Sequence, residues 1–381
     1  MYAPAAGAIH WGMDAATLDQ ALEQGRAREQ QFARLTSHRL LESVDGFPRG
    51  SVVLPDGRVL PGYPSIARIQ SLAAGLPRQF DGPFRAEEKI DGFNVRILRE
   101  GDAIYAFSRG GFVCPFATDR VPDFVDPQVF EEDPELILCA EIAGPDTPYM
   151  EGTSAQVEDD IGLFVFDMMR RDHAGFLPHA DKQRRIERHG LPQPAQHGVF
   201  HPDELEALRH RILELDARGV EGLVLKAEDN GTRAKYVTGR SCINDIRVCS
   251  GQLLDLPAEY FTHRLMRLAV FLTEHGHTGD PEIERALGRA FLEGMDDAVA
   301  SSEQTGHVGQ HYRCRFRERA NALRFIEHMR TTGGRHVRVD PASPQPETGE
   351  REGYWRVDLE RRFDRMTGTL ASALRGDSQF D

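Results

Sequence analysis

Residues 87–94 read EEKIDGFN, and the lysine inside this stretch is one of only four in the chain, with Lys182, Lys226 and Lys235. The chain carries 46 Lys plus Arg, so arginine fills nearly every other basic position. Where only positive charge is needed, arginine serves. A lysine kept at position 89 therefore points to chemistry that a guanidinium cannot do. A neutral amine attacks an electrophile such as phosphorus, whereas arginine stays protonated in proteins. Nearby cations or desolvation would lower the lysine pKa and free the nucleophile. The Ile90-Asp91-Gly92 that follows suits a tight turn, and Gly92 lets backbone approach a ligand. Taken alone, Lys-x-Asp-Gly is a weak signal that an ordinary strand end also produces.

The runs that follow it in the chain change its weight. Ser108-Arg109-Gly110-Gly111 comes next, then Ala140-Glu141-Ile142-Ala143-Gly144 and Phe164-Val165-Phe166-Asp167. Glu221-Gly222-Leu223-Val224-Leu225-Lys226 and Arg233-Ala234-Lys235-Tyr236 complete the series, so three of the four lysines fall inside these runs. In this order and spacing the chain resembles the covalent nucleotidyltransferase superfamily of ATP-dependent ligases and capping enzymes, whose members share six such motifs. DNA ligases of that superfamily carry Arg five residues after the nucleophile; here Asn94 stands there, as in RNA ligases. The segment AEIAGPDTPY at 140–149 is similar to the RNA-ligase counterpart as well. Over nearly its whole length the chain resembles the archaeal-type, homodimeric ATP-dependent RNA ligases.

The resemblance implies roles residue by residue. Lys89 would attack the α-phosphorus of ATP to give lysyl-AMP. Glu87 would accept from the adenine amino group, with Glu88 also in the nucleotide-binding set. Asn94 and Arg109 would donate to ribose or phosphate oxygens, and Glu141 would accept from a ribose hydroxyl. Phe166 would stack on adenine, a contact worth about 1–3 kcal/mol, whereas Phe164 reads better as core. Glu221 would contact Mg²⁺ or Mn²⁺, a hard cation served by one carboxylate plus phosphate oxygens. Lys226 and Lys235 would neutralise charge building on the α-phosphate and help lower the pKa of Lys89. Family members often carry Lys-x-Lys in the last motif; Arg233-Ala234-Lys235 departs from that and leaves Arg233 without a clear role. Lys182, in ADKQRRIER, matches no motif and reads as a solvated helix residue. The implied reaction loads AMP on Lys89, passes it to an RNA 5′-phosphate, and seals the activated end to a 3′-hydroxyl. The implied partners are ATP, single-stranded RNA with those ends, and a second copy of the chain.

The elements that must position these groups are legible as texture. FRAEEKI, NVRILREG, AIYAFSRGG, ELILCAEIAG, IGLFVFDMMR and VEGLVLKA are short apolar or alternating runs broken by Gly, Pro and Asp, and read as strands. Helical stretches interrupt them at 180–189 and 201–219, with no regular βαβ repeat. The expected fold is therefore α+β, antiparallel sheets with flanking helices. Residues 14–36 read as a helix and 50–64 as a hairpin around Pro55-Asp56-Gly57. Residues 256–276 and 280–302 read as helices. The expected domains are an N-terminal module at 1–64, a nucleotidyltransferase domain at 65–250, a helical dimerisation domain at 251–303 and a C-terminal domain at 304–381. In YRCRFRER, Arg313, Arg315, Arg317 and Arg319 alternate with Tyr312, Cys314 and Phe316, as on one face of a strand that could follow an RNA backbone or simply face solvent.

Composition bounds the rest. Hydrophobic content of 40% and charged content of 28% are ordinary for a soluble protein. A net charge of −14 argues against a generally basic surface but leaves room for a local groove. Five scattered cysteines without CxxC suggest reduced thiols and a cytoplasmic setting. His197 and His201, spaced i,i+4, lack an evident third ligand and read as surface residues. No apolar run approaches a membrane span, and the N-terminus lacks the pattern of an export signal. Three alternatives remain at this point: an ATP-dependent DNA ligase, a capping guanylyltransferase, and an inactive protein that binds nucleic-acid ends.

Overall fold

The computed structural model of the chain describes residues 12–150, 154–228 and 231–377. Residues 1–11 of the expected N-terminal module, and the export-signal reading made on them, lie outside the described residues. The chain divides into two compact units, one formed by residues 1–66, 93–142 and 163–193, the other by 67–92, 143–162 and 194–381.

The first unit opens with helix Ala15–Glu23, whose Asp14 side chain caps it by accepting from the Thr17 amide at 2.9 Å. The helix expected to reach residue 36 ends here. Gly25 takes a φ of +69°, and strands Ala27–Phe32 and Leu35–Leu40 then pair antiparallel. Their polar sequences buried only Ala27, Leu35, Ser37 and Leu40, so periodicity gave no strand signal; ladder hydrogen bonds to a partner decided the conformation. Strands Val52–Val53 and Val59–Leu60 form the expected hairpin and complete this four-stranded sheet. A five-stranded sheet follows, in the order His173–Phe176, Gly162–Arg170, Leu136–Ala143, Phe93–Glu100, Ala103–Ser108. Both sheets contribute to one core, with Leu35, Val52 and Leu60 packed among Leu98, Phe107, Ile137 and Met169. Arg96 is buried at the margin of that core. Its guanidinium donates to the carbonyls of Pro61, Gly50 (2.9 Å) and Ser108 (2.8 Å), tying the N-terminal hairpin to the end of strand Ala103–Ser108.

The second unit holds a five-stranded sheet in the order Gln196–Phe200, Phe84–Lys89, Gly222–Ala227, Arg233–Val237, Ala67–Arg68. Its pairs are antiparallel except the edge strand Ala67–Arg68, which runs parallel to Arg233–Val237. Alternation sends Phe84, Ala86, Leu223, Leu225, Ala234 and Tyr236 to one face, where they pack on Leu76 of helix Leu72–Gln79 and on Leu208, Ile212 and Leu215 of helix Leu205–Ala217. Full burial of a side chain such as Phe84 is worth about 1.5–3 kcal/mol. The opposite face is polar. Gly222 joins three strands closely: its φ is +152°, and a Cβ there would run into the Tyr236 carbonyl oxygen.

Helices Gly239–Ser250, Ala258–His275 and Pro281–Thr305 follow, the last capped by Asp280; the second and third are those expected at 256–276 and 280–302, while the first was not anticipated. The remaining residues include strands Gly309–Phe316, Trp355–Arg362 and Val337–Val339, with the short Gln345–Pro346 also paired to Trp355–Arg362, and helices Arg319–Gly333 and Asp364–Leu374. The expected α+β class with antiparallel sheets is the class observed. The arginine stripe is corrected. Tyr312, Cys314 and Phe316 are buried as expected, but the strand ends at Phe316, so only Arg313 and Arg315 share its outer face. Arg317 lies beyond the strand and Arg319 begins a helix. Arg315 is moreover occupied: it pairs with Asp146 and, at 3.1 Å, with Glu347.

Candidate active site

The polar face of the second unit's sheet gathers the motif lysines. Strand register sets Gly222 opposite Lys89, Val224 opposite both Glu87 and Lys235, and Lys226 opposite Arg233. Residues directly opposite share a face, so Glu87, Lys89, Lys226, Arg233 and Lys235 all belong to one side. The Lys89 ammonium is held by the carboxylate of Glu221, with both side chains less than one-fifth exposed. Lys226 donates to Glu87 at 2.5 Å, and that pair is almost wholly buried, at 6% and 2% side-chain exposure. Arg233 is buried beside them. Asp91 lies in the same field. Burial, reinforced by the charge of Glu221, pushes its carboxyl up to about 7 against the opposing pull of Lys89.

Glu88 parts company with its neighbours. Its register partner is Leu223, which places it on the apolar face, away from Glu87 and Lys89. There it accepts from Gln156 at 2.6 Å and meets His197 at 3.3 Å. Burial raises its pKa, but the hydrogen bonds from His197 and Gln156 outweigh that and hold it below the ordinary carboxylate range. His197 is thus a nearly buried partner of Glu88 rather than a surface residue, while His201 is half exposed.

In the first unit, Asn94 and Glu141 are directly opposite on adjacent strands and share a face. The Asn94 Oδ1 is buried with no hydrogen-bond partner among the described residues, an acceptor that a ligand hydroxyl or amino group would satisfy. Arg109 donates to the Ser65 hydroxyl at 3.2 Å. Phe166 meets the Tyr63 ring edge-on, with centroids 5.4 Å apart. Phe164 is half-buried rather than core, because strand Gly162–Arg170 turns Leu163, Val165 and Asp167 inward instead. Lys182 is also corrected. It is buried, 3% exposed, and donates to the Phe166 carbonyl at 3.0 Å. An aliphatic stem long enough to bury, with its charge on a carbonyl, overrides the polar look of ADKQRRIER.

Residues 82–237 match the RNA ligase family, and residues 250–377 match the C-terminal region of ligase Pab1020. A solved structure from Aquifex aeolicus, described as a candidate ATP-dependent DNA ligase, is 36% identical, with 96% of this chain and 100% of that chain covered and a TM-score of 0.88. The chain belongs to the Pab1020-type family of ATP-dependent polynucleotide ligases. A solved archaeal ATP-dependent RNA ligase shares this ligase's fold, with a TM-score of 0.83 over 96% of each chain at 24% identity. An uncharacterised protein of Methanocaldococcus jannaschii is 26% identical to this ligase, with 82% of each chain covered. The family expected from the six motifs is therefore the family found. No helix of the ligase among the described residues is long and apolar enough to cross a membrane.

Some members of the site were not legible in the ligase sequence. Asp91 was read for its turn geometry alone, although a carboxylate two residues after a candidate nucleophile was itself a signal. Gln156 and His197 reach Glu88 through tertiary contact, which no spacing encodes.

Proposed function

We propose that this ligase joins RNA ends, forming lysyl-AMP on Lys89, transferring AMP to a 5′-phosphate, and sealing that end to a 3′-hydroxyl of single-stranded RNA. The observation that carries the reading is the polar sheet face, where Lys89 rests on Glu221 and Lys226 on Glu87. Lys89 must lose a proton before it attacks. The Glu221 carboxylate holds that ammonium in this structure, and drawing Glu221 to another cation would free the amine. In the loading step the new bond joins Nζ to the α-phosphorus, and the bond to pyrophosphate breaks. Lys226 and Lys235 are the charges proposed to balance the oxyanion, and Glu87, Asn94, Arg109, Glu141 and Phe166 the nucleotide contacts. The unsatisfied Asn94 acceptor fits such a ligand.

Among the described residues no group of three or more His, Cys, Asp or Glu side chains could hold a metal ion. A Mg²⁺ or Mn²⁺ held by Glu221 and substrate oxygens is the arrangement consistent with this chemistry, and its charge would favour the neutral amine. Domain limits of 1–64, 65–250, 251–303 and 304–381, a homodimer through the 251–303 helices and a cytoplasmic setting belong to the same proposal.

A DNA ligase is the second reading, favoured by the description of the Aquifex aeolicus relative; Asn94 favours RNA. Incubation with labelled ATP and magnesium, then denaturing electrophoresis, tests the covalent step, with Lys89→Ala as control. Label taken from GTP instead would reassign the nucleotide. A panel of 5′-phosphorylated single-stranded RNA, single-stranded DNA and nicked duplex DNA tests the substrate. Sealing of the nicked duplex alone would overturn the RNA assignment.

A further inference from the structure

Beside the motif lysines stand two cations that the ligation chemistry above leaves unused. Arg68 lies on the edge strand, directly opposite Lys235, and the neighbouring Ile69 amide donates to the Lys235 carbonyl at 2.9 Å. Its side chain is exposed. Arg267, on helix Ala258–His275, is half-buried and donates through Nε to the His263 carbonyl at 3.3 Å. Among the described residues neither guanidinium makes an ion pair. The two carboxylates whose charge reaches Arg68 are already engaged, Glu221 by Lys89 and Asp245 by Arg264 at 2.8 Å. Arg267 is the cation whose charge opposes that of Arg68, so the two repel each other as well as lacking a counter-ion. The nearby Cys242 offers no compensation, since burial pushes its thiol up to about 11 and keeps it neutral. Two solvent-reachable guanidiniums without an acid, near enough for their charges to act on each other, are complementary to a doubly charged oxyanion, which each can grip with a planar fork.

We propose that Arg68 and Arg267, next to Lys235, form a phosphate-binding site distinct from the contacts assigned above. The inference rests on the ligase reading for its ligand, and two sources share that chemistry: the pyrophosphate portion of ATP and the 5′-phosphate of the polynucleotide.

The test uses the full chain and begins with inorganic pyrophosphate, titrated by calorimetry into wild type, Arg68→Gln, Arg267→Gln and the double variant. Each single change is expected to weaken binding about tenfold, the effect of losing one charged contact. Arg68→Lys, which restores the charge without the fork, should recover part of the affinity lost in Arg68→Gln, which a merely structural role would not predict. Because this measurement needs no catalysis, it stands even if Lys89 takes no AMP, an outcome that would sink the ligase reading alone. Two kinetic arms then identify the source. Slower loading with a raised KM for ATP in the variants points to the triphosphate. Normal loading, with slower transfer from pre-adenylylated enzyme to 5′-phosphorylated RNA, points to the polynucleotide end. A folded double variant that matches wild type in pyrophosphate affinity, loading and transfer overturns the site.

Discussion

Lys226 and Glu87 meet across neighbouring strands at 2.5 Å, with both side chains almost completely withdrawn from water. Desolvating two charges is expensive, and the pair survives because each neutralises the other. Removing one partner strands a buried charge. Lys226→Ala should therefore destabilise the protein by about 3–5 kcal/mol, measured by urea unfolding. Combining it with Glu87→Gln should cost much less than the two changes summed. An additive double-mutant cycle would show that the pair is not coupled.

Lys89→Arg keeps the charge that Glu221 holds but removes the nucleophile. Adenylylation should fall by at least about 10³-fold, a barrier increase of more than about 4 kcal/mol, while the melting temperature barely moves. Intact-protein mass spectrometry after ATP treatment reads the first quantity, and calorimetry the second. An AMP adduct of undiminished yield on the variant would place the nucleophile elsewhere.

Gly222→Ala places a methyl group against the Tyr236 carbonyl at a φ of +152°. Relief requires strand Gly222–Ala227 to shift, and with it the neighbouring Glu221. A loss of about 2–4 kcal/mol is expected, together with slower adenylylation in whatever fraction stays folded. Wild-type stability in a urea melt would contradict the close approach.

Glu274 gives the fold a defined pH response. Burial raises its pKa, but amide hydrogen bonds from Leu72 and Ala73, and hydroxyls from Ser71 and Tyr236, outweigh that and hold it below its ordinary 4.5. A depressed carboxylate contributes stability that is present above the ordinary value and lost as pH falls through the folded one. Wild type should therefore lose stability as pH drops below about 4.5. Glu274→Gln should be weaker at pH 7 yet show a flatter acid limb. Parallel acid limbs for the two proteins would refute the linkage.

The proposed homodimer draws on an exposed apolar surface. Met266 is 65% exposed on helix Ala258–His275, and Leu292 is 60% exposed on helix Pro281–Thr305. Met266→Glu and Leu292→Glu should shift a dimer toward monomer in sedimentation without loss of helicity, because neither side chain supports the core. Unchanged sedimentation for both would move the interface elsewhere.

What the sequence could disclose follows from how each residue acts. The strands carrying Lys89, Glu141, Phe166 and Lys226 were legible because burial on one or both faces writes short apolar or alternating runs. Lys89 was legible because arginine cannot replace a nucleophile, and Lys226 and Lys235 because they fall inside the later motifs. Strands Ala27–Phe32 and Leu35–Leu40 were not, since their polar residues gain their conformation from a partner strand. Arg96 and Lys182 look like solvated positions in any one-dimensional reading, yet both are buried because carbonyl oxygens await them. Glu88 was grouped with Glu87 by adjacency, and adjacency in a strand means opposite faces.

That last property constrains how this stretch can diverge among relatives. Deleting or inserting a single codon between Phe84 and Lys89 would exchange the occupants of the two sides, presenting Ala86 and Glu88 where Glu87 and Lys89 now stand. Even where letters other than Glu87 and Lys89 change, their number cannot, so length polymorphism should be confined to the stretches that flank the strand.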